Sequence, residues 1–129
     1  MRVAVSMSMP ILIVDDYNTM IRILRNLLRQ LGFSNIDEAC DGRAALAKLR
    51  QKDYALVISD WSMEPMTGIE LLQRVRAEQR THALPFVMIA NDNDGSANAA
   101  DRAGASTYIV KPFTAQGLKT KLVSVLGAF

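Results

Sequence analysis

The amino-acid sequence predicts an α/β domain, a doubly wound parallel sheet of five strands and five helices, on three observations. Apolar runs of strand length alternate five times with stretches of helical period, without an internal repeat or a long linker. The central runs lack polar alternation, as strands covered on both faces should. The first, third and fifth end in charge, at Asp15-Asp16, Asp60 and Lys111. The carboxyl ends of strands in such a sheet form the ligand crevice, so these residues are expected to meet there.

Taken in order, residues 1–8 form a loose leader, and the domain spans 9–129. Met9 to Val14 is the first strand. Met20, Leu24, Leu27, Leu28 and Leu31 then make one apolar helical stripe, with Asn18 as N-cap and Gly32 as the stop. Arg22, Arg25 and Arg29 lie on the opposite side, a solvated face or a docking surface for an acidic partner. Asn35 to Ala39 is more polar and reads as an outer strand, followed by an Asp41-Gly42 turn and a helix through Ala44, Ala45, Leu46 and Leu49.

The run Tyr54-Ala55-Leu56-Val57-Ile58-Ser59-Asp60 is the most buried strand, and the one the site depends on. A loop from Trp61 to Gly68 leads to a helix with Ile69, Leu72 and Val75 inward. Pro85 to Ala90 is the fourth strand, and residues 91–95 a polar loop. Thr107 to Val110 is the fifth strand, and Leu118, Leu122, Val125 and Leu126 mark a last helix closed by Gly127. The fourth helix, Ser96 to Ala103, contains no large apolar side chain, so it buries little area and is expected to be the least firmly held element.

Composition narrows the function. The 129 residues suffice for one core, and 15 basic against 13 acidic residues leave a net charge of +2, too small to argue for nucleic acid. Cys40 is the only cysteine, which excludes an internal disulfide, and with His82 the only histidine there is no Cys/His metal spacing, so zinc sites and triads built on His are not expected. No stretch approaches the roughly 18 apolar residues needed to cross a bilayer, so a cytoplasmic protein without membrane insertion is expected.

Three carboxylates a few ångströms apart repel by about 4 kcal/mol per pair at an effective dielectric of about 20. One lysine cannot balance them, and oxygen ligands in an open, hydrated site suit Mg²⁺. A fixed carboxylate beside a metal and a lysine can attack phosphorus, while the cations stabilise charge on the transferred oxygens.

Asp15-Asp16, Val57-Ile58-Ser59-Asp60-Trp61-Ser62-Met63, Gly104-Ala105-Ser106, Tyr108 and Lys111-Pro112-Phe113 together resemble the receiver domain of bacterial response regulators, over about Met9 to Leu126. The likeness is strongest to the family's single-domain chemotaxis members. It implies a flavodoxin-like sheet in the order 2-1-3-4-5. It implies that Asp60 is the phosphoacceptor, taking a phosphoryl group from the phosphohistidine of a sensor histidine kinase. By the same resemblance Asp16, Asp60 and the Ser62 backbone carbonyl ligate Mg²⁺ directly, Asp15 holds it through water, and Lys111, before a cis Pro112, contacts the phosphoryl group. Tyr108 matches the family's switch aromatic; its other reading is a half-buried strand tyrosine.

Ala90 departs from this pattern, since the family has Thr or Ser there to bind the phosphoryl oxygen. A lost hydrogen bond to a charged group is worth about 1.5–3 kcal/mol, so transfer and hydroxyl-to-aromatic coupling should both weaken. Asn91 offers a side-chain amide in its place. Glu64-Pro65 puts an acid beside the site where the family has Pro first, and the loop after the fourth strand is one residue shorter than usual.

The expected protein is a monomeric single-domain response regulator without a DNA-binding domain. Its chemistry is confined to its own phosphorylation and autodephosphorylation. Its signal leaves through the face of the fourth helix, fifth strand and fifth helix, where Lys119 and Lys121 add charge, towards a downstream partner in chemotaxis or flagellar motor control. The alternative is a phosphate sink or phosphorelay shuttle with weak conformational output, which Ala90 favours. A Mg²⁺-dependent phosphohydrolase is a remote alternative, because the second acid such enzymes carry is replaced by Ser62. The Arg22, Arg25 and Arg29 face leaves open an anionic nucleotide or nucleic-acid ligand, whose binding would fall with salt.

Overall fold

The computed structural model of the chain describes residues 5–91 and 95–129. Strands β1 (Ile11–Val14), β2 (Ile36–Ala39), β3 (Leu56–Asp60), β4 (Phe86–Ala90) and β5 (Thr107–Val110) alternate with helices α1 (Asn18–Gln30), α2 (Gly42–Gln51), α3 (Gly68–Ala77), α4 (Ser96–Ala103) and α5 (Ala115–Leu126). All strand pairs are parallel, in the order β2-β1-β3-β4-β5. The predicted fold is therefore the observed one, a flavodoxin-like α/β sheet, with the polar strand β2 at an edge.

Side chains alternate between two cores because neighbours on a strand point to opposite faces. Ile11, Ile13, Leu56, Ile58, Val87 and Ile89 pack with α1 and α5 through Leu24, Leu28, Leu118 and Leu122. Leu12, Val14, Val57, Phe86 and Met88 pack on the other face with α2 and α3 through Leu46, Leu49, Leu71 and Leu72. β3 and β4 are buried at every residue, so their register and backbone form the rigid centre of the molecule.

Local chemistry sets the helix ends, with two departures from expectation. Asp41 is more than a turn residue: its side chain accepts the Ala44 N–H at 2.7 Å and caps α2. Asn18 is not the N-cap of α1; Tyr17 occupies that position without a side-chain cap, because Asn18 is already helical. Thr67 and Thr114 cap α3 and α5, while Gly32 ends α1 at φ +106°. The inward stripe of α1 is centred on Ile21, Leu24 and Leu28, with Met20, Leu27 and Leu31 half-buried at its margins.

The arginine face is also divided. Arg25 Nε lies 2.6 Å from Glu38 Oε2, and its Nη2 donates to the Ile36 carbonyl at 3.1 Å, so this residue staples α1 to β2. Arg22 and Arg29 remain exposed. Of residues 1–8, 1–4 lie outside the described residues. The Met7 carbonyl accepts the Ser34 N–H at 3.2 Å, and Val5 and Met7 pack against the core, so residues 5–8 are fastened to the fold. In the polar loop, residues 92–94 likewise lie outside the described residues, as does the place where that loop was expected to be short.

Ala100 of α4 is fully buried against the sheet, and Ala99 and Ala103 are half-buried. The helix meets β4, β5 and α3. Its C-terminal end is bolted by Arg76, whose guanidinium donates to the Gly104 carbonyl at 2.9 Å and the Leu84 carbonyl at 2.7 Å. Sequence reasoning missed this residue because its partners lie on distant loops.

Candidate functional site

Register brings the site together. Val14 pairs with Ser59, so Asp15, one residue on, stands level with Asp60 at the end of β3. Asp60 pairs with Ile89 and Ala90 with Val110, and the Lys111 N–H donates to the Ala90 carbonyl at 3.0 Å, placing Lys111 at the same rim. One carboxylate oxygen from each of Asp15, Asp16 and Asp60 lies within 4.8 Å of the others. Lys111 Nζ is 2.8 Å from Asp60 Oδ1, an ion pair in which Asp60 is almost wholly buried and Lys111 about one-third exposed. Among the described residues that oxygen makes no hydrogen bond, so the contact is electrostatic with unfavourable angles.

The three acids differ in surroundings. Asp15 is 1% exposed, and among the described residues its Oδ2 has no hydrogen-bond partner. Burial pushes its carboxyl up to about 6, opposed by the Tyr17 N–H that donates to Oδ1 at 2.9 Å and reinforced by the charge of Asp60. Asp16 is exposed. Asp60 Oδ2 accepts the Ser62 N–H at 3.2 Å, which holds the start of the following loop to the carboxylate. An orphaned buried oxygen beside two further carboxylates, all hard donors with one ammonium among them, fits a hard divalent cation.

The loop after Asp60 is closed by Gly68, a residue that sequence reasoning used only as a helix boundary. Its N–H donates to the Trp61 carbonyl at 3.0 Å, and a Cβ there would collide with the Asp60 carbonyl oxygen. Only glycine lets α3 start this close to β3. Close approach of backbone to backbone leaves no signature in composition. Met63 and Met66 are buried beneath the loop, while Glu64 is exposed. The peptide bonds before Pro65 and Pro112 are both cis, the second as the resemblance implied.

The remaining predicted residues add no charge to the carboxylate cluster. Ala90 is fully buried at the end of β4 and offers no hydroxyl, and Asn91 follows it, exposed. Tyr108 is half-buried on β5, with Lys121 Nζ 5.0 Å from the centre of its ring. Lys119 does not share that face as expected. It lies over Phe129 at 5.5 Å, and Phe129 packs on Phe33, because positions two apart on a helix point in different directions.

A five-stranded parallel sheet with three carboxylates and a lysine at its carboxyl rim forms a crevice suited to a divalent cation and an anionic group. The sequence matches the response regulator receiver domain over residues 11–123, and the chain belongs to that family. It is 49% identical over 119 residues to the chemotaxis protein CheY of Pseudomonas aeruginosa, covering 91% of this chain and 95% of that protein. It is 48% identical over 123 residues to CheY-3 of Vibrio cholerae, covering 95% of each. Among solved structures it is similar to the chemotaxis response regulator CheY4 of Vibrio cholerae, with TM-score 0.84 and 30% identity over 92% of this chain and 99% of that one. The fold is shared with the receiver domain of the histidine kinase PA1611 of Pseudomonas aeruginosa PAO1, at TM-score 0.85 and 22% identity over 94% of this chain and 99% of that one. That structure holds a magnesium ion in its active-site cleft.

Proposed function

We propose that the chain is a single-domain response regulator, residues 9–129 forming the receiver, in which Asp60 accepts a phosphoryl group from a sensor histidine kinase. The observation that carries this reading is the placing of Lys111 Nζ 2.8 Å from Asp60 Oδ1 inside a cluster of three carboxylates. An Asp60 carboxylate oxygen attacks phosphorus, the phosphorus–nitrogen bond to the donor histidine breaks, and that nitrogen keeps the electron pair and takes up a proton.

Lys111 then faces the transferred oxygens, and the Ser62 N–H holds the second Asp60 oxygen so that the first points into the crevice. Asp16, Asp60 and the Ser62 backbone carbonyl are the direct Mg²⁺ ligands in this reading, with Asp15 acting through water. When bound, the ion offsets the mutual repulsion of the acids and the charge developing on the phosphoryl oxygens. The names of the relatives support a role in chemotaxis. Output through the face of α4, β5 and α5, with Tyr108 as its aromatic element, is part of the proposal, as are a monomeric state and a cytoplasmic location.

Titration with Mg²⁺ and then beryllofluoride, followed by amide NMR with Asp60→Asn as control, tests this. Shifts that start at Asp16, Asp60 and Ser62 and reach Tyr108 and α4 are expected; no response, or one that survives in the control, refutes it. Ala90 favours a second reading, a phosphate sink or relay shuttle, because the strand end lacks a hydroxyl to pull on the loop. In that case the shifts stay within the crevice.

A further inference from the structure

Away from the carboxylates, α2 and α3 enclose a groove of about 420 Å³ that the phosphoacceptor chemistry does not use. Arg43, Arg50 and Arg74 stand around it, against a single lining carboxylate among the described residues, Glu70. Arg43 and Arg74 are exposed and form no ion pair among the described residues. Arg50 reaches Glu78 only at 3.6 Å, with both side chains largely in water. The middle of the groove is apolar: Leu46 and Met66 are buried there, and exposed Pro65 lies beside them.

Two unpaired guanidiniums and a third held only by a long, solvent-exposed contact, around an apolar floor, call for an anionic ligand with an apolar centre. Arg43 and Arg50 are seven residues apart on one helix, which sets them about 10 Å apart along the axis. A chain in the polyproline II conformation rises about 3.1 Å per residue with three residues per turn, so carboxylates three residues apart share a face and stand about 9 Å apart, close to that spacing. Two features disfavour a nucleic acid. No aromatic ring lines the groove for base stacking, and Glu70, held by the Thr67 hydroxyl at 3.2 Å, interrupts the positive field that a continuous polyanion requires.

We infer that the α2–α3 groove is a docking site for an acidic segment of a protein partner, with two carboxylates three residues apart on Arg43 and Arg50, an apolar side chain on Leu46 and Met66, and Arg74 closing the far wall. The site does not use the Asp60 carboxylate and is expected to be competent in the metal-free, unphosphorylated chain.

The test selects peptides from a random phage-displayed library on the metal-free full chain, then measures their binding by fluorescence anisotropy. Enriched peptides should carry Asp or Glu three residues apart around Leu, Ile, Val or Met, and should shift amides of α2 and α3. Arg43→Glu with Arg74→Glu should weaken them roughly tenfold, and Arg22→Glu on α1 should leave them unchanged. Both groove substitutions are at exposed positions, and far-UV circular dichroism checks the fold. The inference is overturned if no peptide is enriched, if the enriched set lacks acids, or if the double variant binds as well as the parent chain. It is equally overturned if a single-stranded oligonucleotide displaces the peptides with the same dependence on Arg43 and Arg74.

Discussion

Gly68→Ala carries the sharpest test of how the site is built. A Cβ on this residue would overlap the Asp60 carbonyl oxygen, and it would also stand 3.0 Å from the Asp60 carbonyl carbon and 2.9 Å from Met88 Sδ. Two of these neighbours are backbone of a fully buried strand, so the strain cannot be relieved by turning a side chain. Either α3 or the end of β3 must shift by on the order of 1 Å. Overpacking of this kind costs about 1–3 kcal/mol, and rigid backbone on one side puts the cost at the upper end. A displacement of about 1 Å at a reacting group slows chemistry by roughly 100-fold. Urea denaturation gives the stability. Fluorescence of Trp61, the only tryptophan and the neighbour of Asp60, gives the rate of phosphorylation by a small-molecule phosphoryl donor with Mg²⁺. Gly117→Ala is the control: its Cβ would meet only Thr114 Oγ1, at 3.4 Å, within α5, so a gain of about 0.5–1 kcal/mol is expected. Gly68→Ala within about 0.5 kcal/mol of the parent chain and equally fast would refute the reasoning.

Three further outcomes are expected. The raised Asp15 carboxyl favours its protonated form in the folded chain; in metal-free protein its stabilising contribution is complete below about 4 and is lost as pH rises through about 6. Asp15→Asn should therefore stabilise the metal-free chain at pH 7.5 by up to about 3 kcal/mol, and Mg²⁺ affinity of the parent should fall between pH 7 and pH 5, read by urea melts and by Mg²⁺ titration. Arg76→Ala strips the Gly104 and Leu84 carbonyls of a charged donor and should cost about 2–3 kcal/mol, with faster amide exchange in α4. Protection of α4 in the parent chain equal to that of Leu56 to Ser59 would show that its small-residue packing is not weak. Ala90→Thr supplies the missing hydroxyl and should tighten beryllofluoride binding by about 1.5–3 kcal/mol; unchanged affinity would mean that this strand end does not face the phosphoryl group.

The groove inference adds a surface lying against the loop that follows Asp60. Met66 lines the groove and also packs against Gly42 at the start of α2, where an added Cβ would meet its thioether at 2.7 Å. A bound segment would press on the loop that carries Ser62. By linkage, any effect of such a segment on Mg²⁺ binding must be matched by an equal effect of Mg²⁺ on the segment.

The strands were legible because a strand buried on both faces must be apolar throughout, and Leu56 to Ile58 and Phe86 to Ile89 leave no other reading. The meeting of Asp15, Asp16, Asp60 and Lys111 followed from strand ends alone, once the sheet was parallel. The sheet order came from resemblance, since no local pattern encodes which strand lies beside which. The expected N-cap at Asn18 failed because a favourable residue type does not fix the residue at which a helix begins, and Tyr17 takes the position without a side-chain bond.

By itself, then, the sequence determined the alternation of strands and helices, the polar edge strand and the acids that converge at the rim, because burial period and strand ends are local properties of the chain. Only the tertiary structure decided that Arg25 is engaged by Glu38, that Arg76 bolts the end of α4, that Lys119 turns towards Phe129, and that Gly68 must lack a side chain. Each of these depends on atoms from separate segments arriving within a few ångströms of each other. That distance is set by packing the helices on the sheet, which no single stretch of the sequence records.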